Sequence, residues 1–244
     1  MPLVSVIIRT KNEAVHLPKV LKILEKQTFK DFEIIVVDSG STDETLNIVE
    51  EYKNKNPMTS VNIVKIKPEE FTYPYASNVG AENAQGKYLV YLSGHSLPIS
   101  ETWLQDGINK FIDDRVAGVY CNPLYPLDDA TIVERIILLA ARLIRIKLRW
   151  WKETEIIKRP GTGVMGTTNA IIRKDLWDKY HFNLSFANGG EDGDWIAYWM
   201  ERDFVAIRDV KFTVRHSHSV GLIDYLKQYF HWRIECASPH PFKY

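Results

Sequence analysis

Three short polar clusters each follow an apolar run directly. They are Thr10-Lys11-Asn12-Glu13 after Val4 to Arg9, Asp38-Ser39-Gly40-Ser41 after Phe32 to Val37, and Ser93-Gly94-His95-Ser96 after Tyr88 to Leu92. Hydroxyls, carboxylates, an amide and an imidazole thus recur at equivalent places, which raises them above ordinary loops. A fourth cluster, Gly189-Gly190-Glu191-Asp192, puts two adjacent carboxylates behind two glycines at the head of a helical pattern through Trp195 and Trp199. One of the pair can act as a general base toward a hydroxyl; the competing reading is two first-turn acids favoured by the helix dipole. Asp194 is the alternative base. His216 and His218 lie two apart, so in a strand both face one side. Neutral imidazoles there can coordinate a metal and protonated ones can pair with phosphate. The bland alternative is one packed and one solvent-facing histidine.

The elements that must position these groups alternate. Val4 to Arg9, Phe32 to Val37, Val61 to Ile66 and Tyr88 to Leu92 read as buried strands. Helical patterns run through Leu17 to Leu24, from a Ser41-to-Glu44 capping box through Tyr52, and around Ala76 to Ala84. The pattern predicts an α/β fold, a mostly parallel central sheet with helices on both faces. In such sheets ligands bind beyond the carboxyl ends of the strands, where the polar clusters fall. Farther on, helices are expected over Ser100 to Ile112, Thr131 to Trp151 and Leu222 to Ile234. Strands are expected over Val116 to Cys121, Ala170 to Arg173 and Phe204 to His218. A single domain over 1–235 is expected, with halves at 1–98 and 99–218 and a C-terminal amphipathic helix and tail over 219–244.

The 244 residues carry 31 basic and 31 acidic side chains, so nothing global points to nucleic acid. Cys121 and Cys236 have no metal-ligand spacing, and whether they pair is open. No run of about 18 apolar residues spans a bilayer, and the first residues lack the pattern of a secretory signal. A cytoplasmic protein is the expectation, placed at the inner face of the membrane if it meets one.

VSVIIRTKNE, IIVVDSGSTDET, ASNVGAENAQGKYLVYLSGHSLP, GTTNAIIRKDLW and GGEDGDW resemble, in order and spacing, the family 2 glycosyltransferases of GT-A fold. HSHS followed by an amphipathic helix is most similar to the rhamnosyltransferase-type branch. The resemblance covers roughly residues 3 to 235. It implies transfer of a sugar from a nucleotide diphosphate donor to a hydroxyl, usually with inversion and a divalent metal, Mn2+ or Mg2+. Residues 1–98 become the nucleotide-binding half and 99–218 the acceptor half. The donor set it implies is Thr10, Asn12, Glu13, Asp38, Asn78, Ser93, Gly94 and His95, with Asp38 accepting from a uracil or thymine edge. A solvated turn is the other reading of Asp38. Asp192 is the implied base, and Glu191 orients the acceptor or a neighbour. Gly166, Thr168, Asn169 and Trp195 line the acceptor pocket. The family's Asp-x-Asp becomes Ser93-Gly94-His95, so the leaving diphosphate is met either by a metal held on His95, with His216 and His218 as further ligands, or by protein cations without one. Imidazole suits Mn2+ better than Mg2+.

Trp103, Trp195 and Trp199 either stack on a sugar or belong to the core. Residues 131–151 end in RIKLRWWK, cationic and amphipathic. They either contact an anionic membrane carrying a lipid-linked acceptor or cover the core with a solvated basic face. Two rivals to the transferase are a catalytically silent GT-A module that binds nucleotide sugar or glycan, and a nucleotidyltransferase. The second expects a glycine-rich loop where Arg9 to Glu13 has none.

Overall fold

In a computed structural model of the chain, residues 1–147 and 152–231 are described. Expectations that fall on 148–151 and 232–244, among them Cys236 and the tryptophans of RIKLRWWK, lie outside them.

Strands and helices alternate through the first half as β1 (Val4–Thr10), α1 (Leu17–Glu25), β2 (Phe32–Asp38), α2 (Thr45–Lys55), β3 (Val61–Lys65), α3 (Tyr73–Glu82) and β4 (Tyr88–Ser93). There follow β5 (Leu97–Pro98), α4 (Trp103–Ile108), β6 (Val116–Tyr120), α5 (Ile132–Arg142), β7 (Thr154–Ile157), β8 (Asn169–Arg173), α6 (Lys174–Trp177), α7 (Glu191–Met200), β9 (Val205–Asp209), β10 (Val214–Arg215) and α8 (Leu222–Phe230). Eight strands form one sheet in the order β3-β2-β1-β4-β8-β6-β9-β7, and β5 pairs with β10 apart from it. The run β3-β2-β1-β4 is parallel throughout. Beyond it, β8 runs antiparallel to both β4 and β6, and β7 antiparallel to β9.

The period-two alternation of buried strands builds two cores. Val4, Val6 and Ile8 of β1 meet Leu17, Val20, Leu21 and Leu24 of α1 on one face. Ile7 meets Ala76 and Ala81 of α3, and Trp195 and Trp199 of α7 belong to the same opposite layer. Small residues let α3 approach closely: a Cβ on Gly80 would sit 2.4 Å from Ile7 Cγ2.

Several expectations are corrected. The Ser41 hydroxyl bonds Asp38 instead of capping a helix, and α2 begins only at Thr45, whose N–H donates to Asp43 Oδ1. The long helix is α5, which passes into a π-helical segment at Leu143–Lys147. The expected strand over 204–218 is broken into β9 and β10, because Asp209 accepts from Lys211 N and Phe212 N closes onto Asp209 O. The helix expected from Ser100 starts at Trp103 and ends at Ile108.

Candidate active site

The carboxyl ends of β1 and β4 open onto a cavity of about 340 Å3. Its wall includes Arg9, Ser93, His95, the segment Gly161 to Thr168, Gly190 to Gly193, His216 and His218. Residues from both halves of the chain therefore meet in one space beyond the carboxyl ends of the strands, where open α/β sheets bind their ligands.

One wall is imidazole. Gly94 brings it close to β1: its N–H donates to Arg9 O at 2.9 Å, and an added Cβ would lie 2.8 Å from Glu13 Cγ. His95 Nδ1 is 2.5 Å from Glu13 Oε1. That carboxylate favours a proton on Nδ1 and leaves the Nε2 lone pair for a ligand. His216 Nδ1 lies 3.0 Å from the hydroxyl of fully buried Ser96, and the Nε2 atoms of His216 and His218 are 3.1 Å apart. One nitrogen of each of the three rings falls within 4.8 Å of the others. Burial, and after it the neighbouring imidazoles, hold His216 well below the usual histidine value. Burial, then His95, lowers His218. Neutral imidazoles that converge on one point can give their ring lone pairs to a metal. His216 and His218 lie just past β10 rather than within a strand, His216 N donating to Tyr125 O and His218 N to Glu134 Oε1.

The other wall is carboxylate. Gly189 and Gly190 have φ of 113° and 98°, a pair of left-handed turns open to glycine, and they swing the chain into α7 with Glu191 and Asp192 leading. Thr167 N donates to Asp192 Oδ2 at 2.9 Å, and Gly193 N to Oδ1 at 2.7 Å. Thr167 Oγ1 is 3.3 Å from Glu191 Oε1. Behind them sits Arg9, which the motifs did not single out. Its Nη2 donates to Thr167 Oγ1 at 3.0 Å and Thr167 O at 3.3 Å, its Nη1 to Ser77 Oγ at 3.1 Å, and Glu191 Oε1 is 3.9 Å away. Arg9 thereby ties β1, α3, the entry to β8 and the start of α7 together. A lone arginine ending a run buried on both faces was the available signal for it.

Burial, then the adjacent Asp192, pushes the Glu191 carboxyl up to about 8. Burial raises Asp192 as well, against the N–H groups of Thr167 and Gly193 that favour its ionised form. A carboxyl raised on folding binds more protons folded than unfolded, so stability falls as pH rises from the unfolded value of 4.5 through about 8. Glu191→Gln, which keeps an acceptor for Thr167, should therefore melt higher than wild type at pH 9 and gain little at pH 4. Equal melting-temperature losses at both pH values would mean that the Arg9 contact outweighs desolvation.

Other expected site residues belong to the framework. Asn78 is buried; its Nδ2 donates to Phe182 O, and its Oδ1 accepts from Trp177 Nε1 and Phe182 N. Asn169 is likewise spent on Cys121 O, Phe212 O and Trp103 Nε1. Trp195 is fully buried with Nε1 on Tyr180 O, and Trp103 is stacked on Phe212. Trp199 packs in the same core as Trp195, so none of the three offers a face to a sugar. Asp194 is buried and accepts from Tyr180 Oη at 2.7 Å. Asp38 accepts from Gly40 N, Ser41 N and Ser41 Oγ of its own loop and from Thr10 Oγ1 at the end of β1, which uses the four lone-pair directions of a carboxylate. Asn12 is exposed and is not among the residues lining the cavity, its Oδ1 accepting from Thr42 N. Gly166 and Thr168 do line the cavity.

Residues 5–180 match the family described as glycosyl transferase family 2. The O-antigen chain rhamnosyltransferase WbaN of Salmonella anatum is 32% identical over 107 residues, 43% of this chain and 31% of that protein. A mannosyltransferase of Pyrobaculum calidifontis, solved with GDP-mannose and Mn2+, superposes with a TM-score of 0.68 at 19% identity, covering 93% of this chain and 59% of that one. Residues 1–349 of Staphylococcus aureus TarS with UDP-GlcNAc give 0.63 at 20% identity, with 89% and 59% covered. The matched stretch spans 20% to 35% of the length of the curated relatives.

Proposed function

Since the chain belongs to glycosyl transferase family 2, we propose that it moves a sugar, with inversion, from a UDP- or dTDP-sugar to a hydroxyl of a glycan or lipid-linked acceptor. The observation that carries this reading is one cavity with paired, desolvated carboxylates on one wall and three clustered imidazoles on the other. Asp192 accepts the acceptor's hydroxyl proton as that oxygen bonds to the anomeric carbon. The bond from that carbon to the diphosphate breaks, and its electron pair leaves with the nucleoside diphosphate. A raised carboxyl is the stronger base. Thr167 and Gly193 hold both Asp192 oxygens, and Arg9 positions Thr167. Base recognition at the ends of β1 and β2 requires Ser41 to release the Asp38 carboxylate.

The donor set decides which metal fits. Three imidazoles, His95, His216 and His218, backed by Glu13 and Ser96, suit a borderline ion such as Mn2+ and suit Mg2+ poorly. When bound, such an ion supplies positive charge against the leaving diphosphate. Loss of the aspartates favours a silent binding module, but these imidazoles offset it. Mn2+ and GDP-mannose in the Pyrobaculum neighbour and UDP-GlcNAc in TarS support the reading. We place the protein on the cytoplasmic side, with residues 131–151 meeting the membrane that presents a lipid-linked acceptor.

Melting temperatures with UDP, dTDP and GDP, each with and without Mn2+, test the donor site. Stabilisation by UDP or dTDP that grows with concentration is expected. No response to any of the three nucleotides would remove the reading.

A further inference from the structure

Among the described residues, two helices next to the cavity each carry a solvent-exposed apolar stripe. Ile132, Ile136, Leu139 and Leu143 recur along one face of α5 and its π-helical continuation; Leu222, Ile223, Leu226 and Phe230 recur along one face of α8. All eight are between 43% and 70% exposed, and α5 packs against α8. Isolated exposed apolar side chains need no explanation, but two adjoining stripes do. No helix among the described residues is long and apolar enough to cross a membrane.

Both helices grow from the imidazole wall. Glu134 Oε1 in the first turn of α5 accepts from His218 N at 2.8 Å, and Thr131 Oγ1 donates to Val220 O at 2.8 Å. Helix α8 starts four residues after His218.

Charge selects the occupant. From Arg135 to Lys152 the sequence holds Arg135, Arg142, Arg145, Lys147, Arg149 and Lys152 and no acidic residue, in a chain whose net charge is zero. A second copy would bring like stripes face to face. The chain's own residues 232–244 carry Arg233 and Lys243 against Glu235, so they offer no complementary charge. An anionic lipid surface answers both the apolar stripes and the basic excess. We propose that α5 and α8 together rest on such a surface, so that the cavity opens beside the headgroups and receives its acceptor hydroxyl there. This deepens the lipid-linked alternative above and rests on it for the acceptor alone.

The test is co-sedimentation of the full chain with vesicles of phosphatidylcholine, with and without phosphatidylglycerol. Binding only with phosphatidylglycerol, weakened by salt, is expected. Ile136→Ser with Leu139→Ser, and separately Leu226→Ser with Phe230→Ser, should each weaken it about tenfold or more. Arg142→Glu with Arg145→Glu should do the same. Each variant should keep its melting-temperature response to UDP, so a misfolded variant is not mistaken for a detached one. Failure of wild type to sediment with either vesicle overturns the proposal. So does equal binding to both, undiminished binding by both apolar pairs, or a dimer in solution that those pairs dissolve. Failure of the transferase reading has a different signature, the absence of any nucleotide response without lipid.

Discussion

Asp192→Asn should lower the rate of sugar transfer by about a thousandfold, within the range a positioned general base contributes, while UDP still raises the melting temperature. The substitution is nearly isosteric. An amide oxygen can still accept from Thr167 N, so the loop before β8 has no reason to shift. What is lost is the lone pair that takes the hydroxyl proton. Asp194 offers no fallback because it is buried on Tyr180. In the wild type the base belongs to a pair raised by burial, so the acidic limb of kcat against pH should lie well above the usual carboxylate range. Arg9→Met removes the cation beside that pair and should move the limb higher still, a displacement that loss of packing alone would not produce. Wild-type turnover by Asp192→Asn would move the base elsewhere.

The parallel half was legible because each strand is an unbroken apolar run ending in a polar cluster. Four such runs with helical patterns between them leave few topologies open. The Glu191-Asp192 pair was equally legible, since two glycines before a helix announce a chain reversal that presents whatever follows. Long-range pairing was not. Asn78 and Asn169 sit in motifs that suggest a ligand, yet their partners, Phe182 and Trp177 for one and Cys121, Phe212 and Trp103 for the other, come from distant parts of the chain. Arg9 was passed over for the same reason. Its value lies in reaching Thr167 and Glu191, more than 150 residues away. The break between β9 and β10 also hid behind a good alternating pattern, because a turn made by Asp209 interrupts it without a glycine or proline to mark it.

His95→Ala should abolish the gain in melting temperature that Mn2+ adds to UDP and cut transfer by at least about a hundredfold, more than loss of a supporting group such as Glu13 is expected to cost. The argument is one of ligand count. With His95 gone, His216 and His218 remain as two neutral donors, too few to hold a divalent ion against water. Glu13→Gln is the finer test, because it leaves all three rings in place and removes the charge that orients His95, so Mn2+ affinity should fall about 10- to 100-fold. His95→Asp should behave differently from both. It returns a hard, anionic oxygen ligand to the wall and should let Mg2+ support transfer where wild type prefers Mn2+. Titration calorimetry of Mn2+ and Mg2+ into the UDP-bound protein separates these outcomes. If His95→Ala binds Mn2+ as wild type does, or if chelation leaves wild-type transfer unchanged, the imidazole wall is not a metal site. The leaving diphosphate would then be met by protein cations, with Arg9, already in the cavity wall, the first to test.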